Sequence, residues 1–116
     1  MKKYTQGDVR LVEEKTIPAD FKKDETENNR VVAYGETSGH AHVIDAEVYR
    51  KDDEIILDVK QETELRHILL GAGIYMPEKR YTEADHAPIP VEPGIYRVKI
   101  HKQYNPYSKL PEKVVD

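Results

Sequence analysis

Apolar and polar residues alternate with period two along most of the chain, which is the signature of half-buried strands rather than helices. Over residues 7–13, Val9 and Leu11 fall on one face of a short strand. Residues 17–21 form a turn with one apolar anchor, Phe21, and residues 22–29 have no apolar member, so a polar hairpin tip or loop is expected there. Residues 30–34 predict another strand, stopped by Gly35. Residues 47–50 and 54–59 predict a hairpin turning at Lys51-Asp52-Asp53. Residues 63–70 fit both a strand and a helical turn, because their apolar positions match either period. Gly71-Ala72-Gly73 opens an irregular stretch that runs to Asp85. Residues 86–91 are extended, and Pro88 and Pro90, lacking an N–H, place them at a sheet edge or outside a ladder. The last strand is the clearest, with Tyr96, Val98 and Ile100 inward and Arg97, Lys99 and His101 outward. Seven to eight short strands in a small domain predict an all-β fold, a compact barrel or rolled sandwich. An irregular C-terminal arm follows, giving a domain over 1–103 and an arm over 104–116.

Composition narrows the function classes. A length of 116 residues suits one domain, and 38% hydrophobic residues against 34% charged allow only a small core. No apolar run is long enough to span a membrane, and the start of the chain has no apolar stretch behind Lys2 and Lys3, so neither a membrane segment nor a secretory leader is expected. The expected address is the cytoplasm, or a particle such as a virion assembled there. The net charge of −4 comes from mixed charges with no basic stripe, which argues against nucleic acid as a partner. With no cysteine, disulfides, thiolate metal sites and thiol nucleophiles are excluded.

The chemistry left to the chain lies in its histidines. His40-Ala41-His42 is an H-x-H pair, and on a strand its two imidazoles share a face and can reach one ion. His86 begins a separate extended segment and is the candidate third ligand. Glu47 is the candidate carboxylate in or near the ligand shell, although it lies an odd number of residues from both histidines. Such a donor set suits Zn²⁺, Fe²⁺, Mn²⁺ or Ni²⁺ with a position open for water. In an enzyme of this kind the bound water is the nucleophile, and Glu83 or Asp85 is the candidate general base. His67, on the ambiguous segment, reads as a partly buried polar residue rather than a ligand, and His101 as a surface residue.

Residues 35–42 (G-E-T-S-G-H-A-H) and 85–98 (D-H-A-P-I-P-V-E-P-G-I-Y-R-V), with Gln6-Gly7-Asp8-Val9 and Gln103-Tyr104-Asn105-Pro106, resemble a family of small uncharacterised bacterial and bacteriophage proteins. That resemblance draws attention to His40, His42 and His86. A partial similarity to the cupins rests on His40-Ala41-His42 and Glu47, whereas the second cupin motif is not reproduced because His86 precedes Pro93-Gly94. Two functions follow as expectations. One is a β-rich protein holding a divalent metal, with metal-dependent catalysis on an unnamed substrate as its extension. The other is a non-enzymatic interaction or assembly module, phage-associated, in which the histidines make structural hydrogen bonds. In that case Tyr104 and Tyr107 of the arm would dock on a partner or a second copy.

Overall fold

The computed structural model describes residues 2–26, 28–34, 39–71, 73–84 and 86–100. Asp85, His101 and the arm over 104–116 lie outside the described residues. The described residues form ten strands: β1 (Lys3–Gln6), β2 (Val9–Glu14), β3 (Lys22–Lys23), β4 (Val31–Tyr34), β5 (His40–Ile44), β6 (Glu47–Lys51), β7 (Glu54–Val59), β8 (Thr63–Leu69), β9 (Ile89–Val91) and β10 (Gly94–Ile100). The all-β expectation holds, and the ambiguous segment is a strand, β8. Among the described residues no helix is long and apolar enough to cross a membrane.

The strands form two antiparallel sheets, one ordered β1-β2-β10-β7-β6-β3 and the other β4-β5-β8-β9. Among the described residues they do not close into a barrel. A physical reason sits at the β9 edge, where Pro90 pairs in register with Glu64 but has no N–H to offer a further strand. In the six-stranded sheet β10 enters between two local hairpins, pairing with β2 on one side and β7 on the other. That insertion ties the end of the domain to its beginning.

Alternation decides what each face buries. Val9 and Leu11 of β2, Ile55, Leu57 and Val59 of β7, and Tyr96 and Val98 of β10 turn toward the other sheet. There they pack on Val32, Ile44, Leu65 and Val91. Tyr96 is completely buried, with Tyr4 edge-on at 5.6 Å and its hydroxyl donating to the Glu92 carbonyl at 2.7 Å. A second, smaller core lies on the outer face of the four-stranded sheet. Val31, Ala41, Val43 and Ile68 are covered there by Leu70, Tyr75 and Tyr81. The irregular stretch after β8 is therefore a lid on that face. It is pinned by the Leu69 and Ala84 amides, which donate to Thr82 and His67 carbonyls at 2.9 and 2.7 Å. Phe21, the expected anchor, is buried with the Arg97 guanidinium over its ring.

Candidate functional site

The inner face of the four-stranded sheet changes character along its length. Where Ile44 opposes Leu65 in the β5–β8 ladder the face is apolar and belongs to the main core. Two residues further on, His42 stands directly opposite His67, and beyond it His40 opposes Leu69. Side chains paired across an antiparallel ladder share a face, so these three imidazoles project together toward the six-stranded sheet. His42 and His67 are stacked with ring centroids 4.2 Å apart and planes 3° from parallel. The His40 ring meets His67 edge-on at 5.3 Å, and the His86 ring, from the segment leading into β9, lies 5.2 Å away on the same residue. His67 is thus the hub of a four-imidazole cluster drawn from three stretches of chain.

The cluster is graded in depth. His42 and His67 are buried, His40 is half-buried, and His86 is exposed. Burial first, and then the nearby His67, His86 and His40, push the His42 imidazole down from its usual 6.5 to about 4, with Asp8 opposing them. His42 is therefore neutral near pH 7, the state in which an imidazole has a lone pair for a metal.

The six-stranded sheet contributes the opposing wall through the β1–β2 turn. Gln6 is buried, and its carboxamide oxygen lies 3.0 Å from His42 Nδ1. Its Nε2 donates to the Leu65 carbonyl at 2.9 Å and to the Ala87 carbonyl at 2.8 Å, so one side chain joins β1, β8 and the His86 segment. Gly7 follows in the left-handed region with φ of 57°. A Cβ there would come within 2.8 Å of His86 Nε2 and 3.1 Å of its Cδ2, so the absent side chain makes room for the His86 ring.

Of the residues picked out from sequence, His40, His42 and His86 are brought together. Glu47 is not brought to them. It is registered with Asp58 on β7 and shares the outer face of the six-stranded sheet with Tyr49, whose hydroxyl donates to it at 3.3 Å; Lys23 lies 3.8 Å away. Glu83 also points elsewhere. Its Oε1 accepts from Arg66 Nη2 and Nε at 2.6 and 3.0 Å, and it bridges to Ile68, on the face of β8 opposite the imidazoles. Among the described residues, no three or more histidine or carboxylate side chains form a ready-made metal site. Sequence reasoning read His67 as a partly buried polar residue, and it is buried; it gave Gln6, Gly7 and Asp8 no role in the site. The signal for His67 was its spacing of two from Leu65, which in a strand puts both on the core face.

A domain of unknown function, DUF8820, matches residues 5–101, a span that holds the whole cluster from Gln6 to His86. The chain belongs to the DUF8820 family. No curated protein and no solved structure matches it. In this DUF8820 domain the rings of His40, His42 and His86 all meet that of His67.

Proposed function

We propose that this domain binds a divalent transition-metal ion of the Zn²⁺, Fe²⁺, Mn²⁺ or Ni²⁺ class through His40, His42 and His86, with His67 as a fourth imidazole. One observation carries the reading: His86, remote in sequence from the H-x-H pair, meets it at the ring of His67. A donor set of four imidazoles favours ions that accept nitrogen donors over Mg²⁺ or Ca²⁺, which want oxygen. An imidazole donates in its ring plane, so the His42–His67 stack must open as the ion enters, with the more exposed His40 and His86 turning to complete the shell. Asp8, whose charge already acts on His42, is the nearest candidate for a carboxylate in or beside that shell. Glu83 is held by Arg66, so the reading assigns it no role at the metal and stops at binding.

The test is calorimetric titration of the full chain, purified without a histidine tag and stripped with chelator, using Zn²⁺ and Ni²⁺. A single ion per chain is expected, with affinity falling at least about tenfold in His86→Ala and further in His40→Ala/His86→Ala. Both substituted side chains are accessible to solvent to some degree, so the variants should fold. No uptake, or uptake unchanged in the double variant, overturns the reading and favours the interaction-module alternative.

A further inference from the structure

Gln6 offers two different faces to the protein, and its surroundings decide which atom points where. The carboxamide NH₂ has two donors, and both are engaged, by Leu65 O at 2.9 Å and Ala87 O at 2.8 Å. Carbonyl oxygens can only accept, so a flipped amide would set its own oxygen against two others in a buried place. The orientation of Gln6 is therefore dictated by main chain on two separate segments. Its Oε1 is left facing His42 Nδ1 at 3.0 Å, and Oε1 can only accept.

We infer that Gln6 is the positioning residue of the cluster: it locks His42 in the Nδ1–H tautomer, so that Nε2 carries the lone pair, and makes His42 the fixed ligand about which the other rings rearrange. The chain of acceptors runs from main chain to Gln6 to His42 without a choice at any step. A metal-ligating histidine commonly gives its second N–H to an acceptor in this way, which sets ring angle and tautomer together. Here the acceptor comes from the opposite sheet. The Ala87 carbonyl lies next to His86, so the same amide also anchors the segment that carries the exposed ligand. The use of the lone pair rests on the metal reading, whereas the tautomer does not.

Long-range ¹H–¹⁵N correlation spectra of the metal-free full chain near neutral pH read the tautomer directly. His42 should show a protonated Nδ1 and an unprotonated Nε2. In Gln6→Leu the preference should collapse toward a mixture, and likewise in the near-isosteric Gln6→Met, because neither side chain has an oxygen to accept from Nδ1–H. A Zn²⁺ titration of Gln6→Leu should show a loss of about 10- to 100-fold in affinity. An Nε2–H tautomer in the unsubstituted chain overturns the inference, as does an Nδ1–H preference that persists in Gln6→Leu or Gln6→Met. If Gln6→Leu does not fold, the unsubstituted chain and Gln6→Met decide. A chain that shows the locked tautomer but takes up no metal refutes the metal reading alone.

Discussion

His42 carries a cost that depends on pH. Its folded imidazole titrates near 4 against an ordinary 6.5, chiefly because burial disfavours the cation and secondarily because His67, His86 and His40 crowd it, Asp8 pulling the other way. Above pH 6.5 both folded and unfolded chains hold this ring neutral, and the shift costs nothing. As pH falls from 6.5 toward 4 the unfolded chain gains a proton that the folded chain refuses, so stability drops. Below 4 the full difference, about 3 kcal/mol, is lost. Denaturant midpoints across this range should show that decline, and His42→Gln should flatten it. Carboxylates act lower down. Burial raises Asp24, but the Thr26 hydroxyl and amide and Arg50 outweigh it and leave the carboxyl below 3.8, so its contribution is present above that value and lost only as pH falls through the folded one. The two windows are separable in one titration.

The history of β8 shows why some of the site was hidden in the sequence. Thr63–Leu69 buries residues on both faces, Leu65 and His67 toward the other sheet and Ile68 toward Tyr75 and Tyr81. A strand covered twice loses its clean alternation, which is why a helical turn fitted it equally well. With the strand ambiguous, the face of His67 is ambiguous too, so the sequence reads it as a partly buried polar residue and not as the hub of a cluster. By contrast β10 is inward at Tyr96 and Val98 and outward at Arg97 and Lys99, as its spacing predicts, with Arg97 salt-bridged on the outer face, whereas Ile100, expected inward, is exposed at the strand end. Lys22–Lys23, expected in a polar loop, pairs with Tyr49 and Arg50 as a two-residue edge strand that no hydrophobic pattern could announce. The parity that made Glu47 an awkward ligand is realised physically, since it lies on the outward face of β6. Glu83 was attractive for its closeness in sequence to His86, but it is on the far side of β8 with Arg66. Glu83→Gln should therefore cost no more than about 1 kcal/mol in chemical denaturation, as expected for a partly exposed ion pair, and leave metal titrations unchanged. Abolished binding in that variant would place Glu83 back in the site.

At the scale of the whole domain the cluster sits where the two sheets meet at one end, bridged by Gln6 to Leu65 and Ala87. An ion held there would link β5, β8 and the segment before β9, none of which is ordered relative to the others in an unfolded chain. Metal binding should consequently be read out as stability. At a free Zn²⁺ concentration about 100 times its dissociation constant, the gain should be about 2.7 kcal/mol, reversed by chelator. His40→Ala/His86→Ala should show no such gain in the same melting experiment. The strand pairing has a further consequence for folding. His42 faces His67 with Val43 and Arg66 turned the other way, so sliding β5 by one residue against β8 would exchange the two sets. The imidazoles would be driven beneath Tyr75 and Tyr81, and Val43 would be left against an amide that has nothing to accept from it. The polar spot on this otherwise oily face is thus a registration mark, penalising the misaligned sheet before any ligand arrives.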